Sequence, residues 1–258
     1  MAEPLATLSR RDRVRAATVQ EIKRTARRVL VDSGADGLSL RAIARDMGMT
    51  APALYRYFPS REELLEGLVA DLYTELGDAM EAARDALPEE DVPGRLMAIS
   101  RTFRQWSLDH PHEFALLFGS PIEGFARPHE GEDDVAEGPA EDAGRRFGAI
   151  FGALVAQLYL ARPFPIPADE EIDDDLRPQL RDWCETFPVP LPLGVMQVFL
   201  SCWIRLYGAV CMEVFGHLKF AVRDAEPMFE AELRDIGGVL GIADDYRRPE
   251  RDVPPSTA

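Results

Sequence analysis

Apolar residues recur three or four positions apart along most of this chain, which is the spacing of a helix that buries one side. The first clear stripe lies in residues 19–33 and consists of Ile22, Ala26, Val29 and Leu30. Comparable stripes follow from residue 40 to residue 240, interrupted by segments rich in proline, glycine or acidic residues. The pattern predicts an all-α fold.

Residues 39–58 combine two short helical patterns with a glycine between them. The first pattern is the apolar stripe Leu40, Ile43, Ala44 and Met47. Gly48 supplies the backbone freedom that a tight turn between helices needs, and Thr50 is placed to cap the next helix. The second pattern predicts a helix over 51–58, about 12 Å long, which matches the width of the major groove of DNA, also about 12 Å.

Leu54 and Phe58 are four positions apart and are expected to anchor this second helix inward. The side chains expected to face outward are Thr50, Ala51, Ala53, Arg56 and Tyr57, with Tyr55 at the margin. Ser60 and Glu63 then have the spacing of a capping box, so a third helix begins beside Arg61, and its positive end suits a backbone phosphate. Any three-helix bundle contains such turns, so the turn alone does not establish DNA binding.

The whole string from Ala42 to Leu65 is more specific. Ala-Ile-Ala-x-x-x-Gly-Met-Thr-x-x-x-Leu-Tyr-x-Tyr-Phe-x-Ser-Arg-x-x-Leu resembles, without a gap, the DNA-binding signature of the TetR family of bacterial transcription regulators. The resemblance implies phosphate contacts from Tyr55, Tyr57 and Arg61, and contacts to bases from 50–53 and Arg56. The candidate DNA-binding residues are Ser39, Arg41, Thr50, Ala51, Pro52, Ala53, Tyr55, Arg56, Tyr57 and Arg61.

The charge distribution favours the same assignment. Residues 1–62 hold 12 Arg or Lys against 7 Asp or Glu, a net charge of +5, whereas the whole chain carries −16 and residues 63–258 therefore −21. Basic charge is thus concentrated where phosphates would bind, and the acidic remainder would repel the duplex. The basic residues 10–15 are expected either to reach the adjacent minor groove as an arm or to belong to a disordered tail.

The motifs divide the chain into a DNA-binding domain over 1–62, a helical domain over 63–248 and a disordered tail over 249–258. A helix from Ser60 to about Leu87 is expected to connect the two domains. Further helical patterns are predicted at 96–109, 112–118, 145–162, 169–183, 193–218 and 227–240. Residues 126–144, with seven acidic residues and three glycines, are predicted to be a surface loop.

The helix predicted over 193–218 is apolar nearly all round and must therefore be covered on two faces. A second copy of the chain would cover one of them, and a four-helix interface with the helix at 227–240 would place two DNA-binding domains on a two-fold axis. A homodimer also suits a palindromic operator in double-stranded DNA. The alternative is a thick monomeric core.

The second domain also resembles one branch of the TetR family at specific points. They are Trp106-Ser-Leu-Asp-His-Pro111, then Phe114 and 117–121, and later Trp203-Ile-Arg-Leu-Tyr-Gly208 followed by Glu213 and 216–217. The resemblance implies an apolar cavity for a small-molecule effector that changes the spacing of the DNA-binding domains. The aromatic candidates for its lining are Phe103, Trp106, Phe114, Phe118, Phe147, Phe151, Trp203 and Tyr207.

The chemistry of an enzyme is thin in this sequence. The four histidines lack metal-ligand spacing, no catalytic or phosphate-loop motif is present, and Asp173-Asp174-Asp175 lacks the spacing of a calcium loop, so we expect no catalytic site, metal or cofactor. No stretch of 18 or more consecutive apolar residues is present and the start lacks a secretory apolar region, so the protein is expected to be cytoplasmic. The hypothesis is a ligand-released repressor. The alternatives are an activating or ligand-independent regulator and an all-α small-molecule-binding protein or enzyme.

Overall fold

The computed structural model describes residues 9–119, 125, 138–185 and 189–248. Within them it contains ten α-helices and no β-strand, as the apolar periodicity predicts. The helices are α1 (Arg10–Ser33), α2 (Leu40–Asp46), α3 (Ala51–Leu54), α4 (Arg61–Asp85), α5 (Val92–Asp109), α6 (Pro111–Phe118), α7 (Pro139–Ala161), α8 (Leu176–Cys184), α9 (Leu193–Val214) and α10 (Glu226–Val239). Short 3-10 turns at Ala35–Gly37, Asp169–Glu171 and Ala243–Asp245 complete it.

The chain forms two compact units. The first unit consists of residues 1–77 and 110–147, and the second unit consists of 78–109 and 148–258. Helix α4 continues from one into the other, as does α7. These limits differ from the division at residue 62 that the motifs suggested, because the first unit also takes in most of α4 and all of α6.

In the first unit, α1 is longer than the pattern from residue 19 predicted. It begins at Arg10, where Ser9 is the N-cap and its hydroxyl accepts a hydrogen bond from the backbone N–H of Asp12. The expectation that 10–15 form an extended arm or a disordered tail is therefore wrong, because a capped helix already includes them. Residues 1–8 lie outside the described part of the chain.

Helix α3 is shorter than the predicted 51–58. It ends at Leu54, and the chain continues as a turn in which the N–H groups of Tyr57 and Phe58 both donate to the carbonyl of Leu54, at 2.8 and 3.1 Å. Pro59 disfavours helical backbone only at Phe58, the residue before it, so it does not explain why the helix already ends at Leu54. Leu54 and Phe58 are buried, as their spacing predicted.

Helix α7 begins at Pro139, within the segment 126–144 that was predicted to be a loop. Proline is favourable in the first turn of a helix, and Glu141 and Asp142 in that turn interact well with the helix dipole. The prediction is therefore wrong for the last six residues of that segment, while 126–137 lie outside the described residues.

The second unit packs α5, α8, α9 and α10 around an apolar core. Phe103, Ile99, Val195 and Val210 are fully buried in it. Helix α8 begins at Leu176 rather than at the predicted residue 169, and Pro178 lies in its first turn, where proline is tolerated. Helix α9 ends at Val214, four residues earlier than the predicted 218.

Candidate nucleic-acid interface and inner cavity

The turn between α2 and α3 has the geometry that orients a helix-turn-helix pair. Gly48 has a φ of 64°, which favours glycine, and the N–H of Met49 donates to the carbonyl of Ala44 at 2.8 Å. That hydrogen bond closes the end of α2 and turns the chain sharply into α3. Ile43, Ala44 and Leu54 are buried, so one side of each helix is fixed.

The structure places the predicted DNA-binding side chains at or near the surface of the first unit. The exposed ones are Ser39, Arg41, Thr50, Pro52, Tyr55 and Arg56, and the half-buried ones are Ala51, Ala53, Tyr57 and Arg61. Tyr55 is 42% exposed, so its ring lies well outside the core. This face combines hydroxyl, guanidinium and small apolar groups, which are the groups that contact phosphates and base edges in DNA.

Two of the predicted local contacts need correction. Thr50 is the N-cap of α3 by position, but its side chain makes no capping hydrogen bond. The capping box at α4 is present in one direction, with the N–H of Glu63 donating to the Ser60 hydroxyl at 3.1 Å. Because Thr50 does not cap and is exposed, its hydroxyl is directed to the surface rather than to the helix end.

Arg61 has a structural contact that the sequence did not indicate. Its guanidinium donates to the carbonyl of Ala35 at 2.9 Å and to that of Leu38 at 3.2 Å. These bonds join the start of α4 to the segment before α2. Arg61 therefore stabilises the helix-turn-helix through contacts within the protein. This role does not depend on a contact between Arg61 and a phosphate.

Arg15 makes a contact with Tyr57 that the sequence did not indicate. Its guanidinium lies over the ring of Tyr57, 5.1 Å from the ring centroid, and donates to the carbonyl of Arg56 at 3.3 Å. The two residues are more than forty positions apart, so no local pattern indicates the pairing. The N-terminal turns of α1 are thereby attached to the end of residues 50–58, the candidate recognition segment.

A charged cluster in the first unit joins three helices. Arg27 of α1 donates to Glu75 of α4 at 2.5 and 3.1 Å and to Glu113 of α6 at 2.9 Å. The hydrogen bonds to Glu75 raise the pKa of Arg27 against the opposing effect of its burial, so it stays charged. Glu113 is almost completely buried, so this cluster holds α6 firmly against α1.

The eight aromatic residues proposed to line one cavity are divided between the two units. Phe114, Phe118 and Phe147 lie in the first unit, where the Phe114 and Phe118 rings are 5.1 Å apart and the Phe118 and Phe147 rings 5.7 Å. The second unit contains Phe103, Trp106, Phe151, Trp203 and Tyr207. Trp203 is central there, with ring centroids 5.5 Å from Phe103, 5.7 Å from Phe151 and 5.7 Å from Tyr207.

The second unit contains a small apolar cavity of about 40 Å³. Only two of the proposed aromatic residues, Phe151 and Trp203, line it. The other lining residues are Leu96, Met97, Ser100, Val155, Phe199, Cys202, Leu206, Leu233, Ile236, Leu240 and Ile242. Of the aliphatic members, Leu233, Ile236 and Leu240 recur at helical spacing on α10 and directly after it, and that spacing was the available signal.

Two polar groups of this lining, the Ser100 hydroxyl and the Cys202 thiol, carry no charge. The Ser100 hydroxyl donates to the carbonyl of Leu96 at 2.8 Å, within its own helix. Burial raises the pKa of the Cys202 thiol to about 11, so it is a neutral thiol at physiological pH. The cavity is therefore suited to an apolar group, and its lining has few groups that could bind a charged one.

Charged residues of the second unit pair with each other. Arg104 binds Glu213 through two hydrogen bonds of 2.6 and 2.5 Å, and Arg101 binds Glu230 through two of 2.8 Å. Arg205 pairs with Glu232. These pairs connect α5, α9 and α10 around the cavity.

Comparison with known families agrees with this architecture. The family model described as bacterial regulatory proteins, tetR family, matches residues 16–68, and the model described as the tetracyclin repressor-like C-terminal domain matches 96–236. The two matches cover the helix-turn-helix and most of the second unit. They also include α6 and the whole of α9.

Curated relatives carry the same description. The HTH-type transcriptional regulators Rv1816 of Mycobacterium tuberculosis and Mb1846 of Mycobacterium bovis are each 35% identical to this chain over 220 residues, which is 83% of this chain and 88% of theirs. Among solved structures, the regulatory protein SCO4313 is 30% identical with a TM-score of 0.69, covering 89% of this chain and 100% of that one.

A more distant structure shares the fold alone. RolR, solved in complex with resorcinol, is 17% identical with a TM-score of 0.53 and covers 93% of this chain and 98% of that one. The family and its relatives are transcriptional regulators, not enzymes. With a helix-turn-helix of the right geometry, both family domains matched and relatives aligned over most of their length, this chain belongs to the TetR family of bacterial transcription regulators.

Proposed function

We propose that this regulator is a repressor that binds a palindromic operator as a homodimer and is released by a small apolar effector. The observation that carries DNA binding is the outer face of the recognition segment. Thr50, Pro52, Tyr55 and Arg56 are exposed there, while Leu54 is fully buried. Such a helix is fixed from one side and open on the other, which is what entry into a major groove requires.

The homodimer rests on the composition of α9. Its length and apolar character would suffice to cross a membrane, yet only 33% of its most apolar window is buried within this chain. Ile204 is 60% exposed and Met212 38% exposed, and a side chain added at Gly208 would meet open space. On α10, Met228 is 54% exposed. A second copy of α9 and α10 is the partner of matching apolar chemistry.

The test of the dimer is the mass of the full-length protein in solution. Wild type is expected as a dimer, and Ile204→Glu as a folded monomer, because a charge would be buried in the interface. Leu160→Glu is the control, since Leu160 is 61% exposed on α7, a helix that the proposed interface does not include. A monomeric wild type, or an Ile204→Glu variant that stays dimeric, contradicts the proposed interface.

The DNA test uses the duplex upstream of the protein's own gene. Two chains are expected to bind each operator, with higher affinity than for a scrambled duplex of the same length. Deletion of the gene is expected to raise transcription from that promoter. A fall in transcription would support activation instead of repression, while the DNA binding itself would stand. The cytoplasm, where this DNA lies, is the proposed location.

Effector release is the step that the small cavity constrains. Ligand pockets commonly enclose roughly 300–1,000 Å³, and about 150 Å³ is needed for one benzene molecule, whereas this cavity has about 40 Å³. An effector must therefore displace lining side chains. We propose that this repacking passes through the long helix α4 and separates the two DNA-binding domains beyond one helical turn.

The experiment is operator binding measured with and without a panel of small phenols and other aromatic compounds. Resorcinol, named in the RolR complex, is a suitable first probe. Weakened operator binding together with a raised melting temperature supports effector release. The small cavity also favours a second candidate, a regulator that binds DNA without any effector. That candidate gains if no compound alters either quantity.

A further inference from the structure

The N-terminal turns of α1 carry a basic groove that the proposed function does not use. Residues 10–15 contain four arginines and one acidic residue, Asp12. The Ser9 hydroxyl donates to the Asp12 carboxylate at 2.6 Å, while the Asp12 N–H donates back to that hydroxyl at 3.2 Å. Within residues 9–15, the only carboxylate is therefore occupied at the helix cap, and the arginines dominate the charge of this segment.

Helical geometry sorts these arginines onto two sides. Arg10 lies one turn before Val14, and Arg11 one turn before Arg15, so these four residues share one face. Together with Tyr57 of the recognition segment they line an open groove of about 620 Å³. Arg13 lies on the opposite side of the helix and does not line it.

One side of the groove is held in place by contacts within the protein, and the arginines on the other side can bind an external ligand. Arg15 is held by the Tyr57 ring at 5.1 Å and by the carbonyl of Arg56 at 3.3 Å, so it fixes the position of the groove relative to the recognition segment. Arg10 and Arg11 are exposed and form no ion pair within the described part of the chain. Two guanidinium groups are thus available to an external anion.

The dimensions of the helix decide which part of DNA these groups can reach. An α-helix with its side chains is about 10–12 Å wide, whereas the minor groove of B-DNA is about 6 Å wide. A helical segment cannot enter the minor groove as an extended arm can. Its arginines can instead meet the phosphates along the edge of the groove.

We propose that the face formed by Arg10, Arg11, Arg15 and Tyr57 binds the phosphodiester backbone of duplex DNA, immediately beside the bases contacted by α3. The inference rests on the proposed DNA binding and extends it to a site outside the helix-turn-helix. Tyr57 belongs to both surfaces, so one DNA strand follows them continuously. Val14, 60% exposed in the same face, offers apolar contact to the sugar.

Such a contact adds affinity without reading sequence. Each phosphate contact by a cation contributes about 0.9 to the negative slope of log affinity against log salt, and at 0.1 M salt this corresponds to roughly tenfold in affinity. The groove therefore strengthens binding to the operator and to unrelated duplex by the same factor.

The experiment compares full-length Arg11→Ala with Arg13→Ala, which removes the same charge from the opposite side of the same helix. Affinities for the promoter duplex and a scrambled duplex are measured between 50 and 200 mM salt by fluorescence anisotropy, as are melting temperatures. For the proposed dimer, Arg11→Ala removes one contact from each of two DNA-binding domains, so it is expected to make the slope shallower by about 1.8 and to bind both duplexes roughly 60-fold more weakly at 0.1 M salt. Arg13→Ala is expected to stay within about twofold of wild type, and Arg11→Lys to recover the slope.

Three results would overturn the proposal. Equal losses in Arg11→Ala and Arg13→Ala would mean that only total charge matters. A loss confined to the operator would indicate base recognition instead of a phosphate contact. Unchanged DNA binding in Arg11→Ala would assign the groove to another kind of partner. Failure of the wild type to prefer its operator would instead count against the proposed function, and the variants separate these cases.

Discussion

Four arginines of the first unit and two of the second have opposite surroundings. In the first unit Arg41 and Arg56 are exposed and make no ion pair within the described residues, as is true of Arg10 and Arg11. In the second unit, Arg101 and Arg104 each form a two-point hydrogen bond with a carboxylate. A cation without an internal partner is available to phosphate, whereas a paired cation stabilises the fold.

The two units also differ in how they would respond to a bound molecule. The candidate DNA-binding face is already exposed, and Leu54 and the bonds of Arg61 to two carbonyls fix it on its inner side. The cavity of the second unit has about 40 Å³ and must repack to admit a ligand. DNA binding at this face would therefore need no rearrangement of the first unit, whereas a response to an effector would require side chains of the second unit to move.

The largest expected effect concerns stability in the second unit. Glu230→Ala leaves Arg101 half-buried without its carboxylate and is expected to lower the free energy of unfolding by about 3 kcal/mol. Glu232→Ala, on the same helix, removes a partly exposed partner of Arg205 and is expected to cost less than about 1 kcal/mol. Urea unfolding monitored by circular dichroism measures both. Equal losses would contradict the assignment of Glu230 to the core.

The matching experiment in the first unit should change binding and leave stability unaltered. Arg56→Ala is expected to weaken operator binding by about 2 kcal/mol, roughly 30-fold, because a base or phosphate contact is lost. Arg223→Ala removes an exposed arginine of the second unit and serves as the control. Anisotropy titrations and thermal melts measure the two properties. A melting temperature lowered along with the affinity would show that Arg56 supports the fold instead.

A smaller effect should distinguish the cavity from its surroundings. Cys202→Leu adds apolar volume inside the cavity, so it is expected to reduce the response to an effector at least tenfold, about 1.4 kcal/mol, while operator affinity without effector is unchanged. Cys184→Leu makes the same change outside the lining. Effector titrations of preformed operator complexes give the comparison. An undiminished response in Cys202→Leu would place the effector elsewhere.

The smallest expected effect is a pH dependence of stability. Burial alone would raise the pKa of Glu230, but hydrogen bonds from Arg101 and Tyr246 outweigh it and lower the pKa below the ordinary value. A carboxyl with a lowered pKa stabilises the fold above its unfolded pKa, about 4.3, and this contribution is lost as the pH falls through the folded pKa.

Below about pH 4.3, the free energy of unfolding of wild type should therefore fall more steeply with decreasing pH than that of Glu230→Gln. The accumulated difference between the two proteins should be less than about 1 kcal/mol. Parallel curves for the two proteins would show that Glu230 does not titrate in this way. Unfolding midpoints in urea at a series of acidic pH values give the slopes.

Local patterns predicted the first unit well where neighbours in sequence are neighbours in space. The stripe containing Ile43, the glycine turn at Gly48 and the inward pair Leu54 and Phe58 all appear as expected. A local rule also explains one error, because Ser9 caps a longer α1 than the apolar stripe alone predicts.

Contacts between distant segments could not be predicted in the same way. Glu113 binds Arg27 across 86 positions, and this pairing places α6 in the first unit, although the motifs grouped it with the second domain. The cavity lining likewise depends on how α5, α9 and α10 meet. Aromatic content drew attention to Phe114 and Phe118, which lie in the other unit. Periodicity identifies a buried side of a helix but does not identify its partner.

The central claim is that two chains bind one DNA duplex, each through the exposed cationic face of its first unit. It is tested most directly by titrating the full-length protein with the duplex upstream of its own gene, between 50 and 200 mM salt, with stoichiometry measured in the same samples. The account predicts two chains per duplex, preference over a scrambled duplex and affinity that falls steeply with salt. One chain per duplex, or equal affinity for both duplexes, would contradict it.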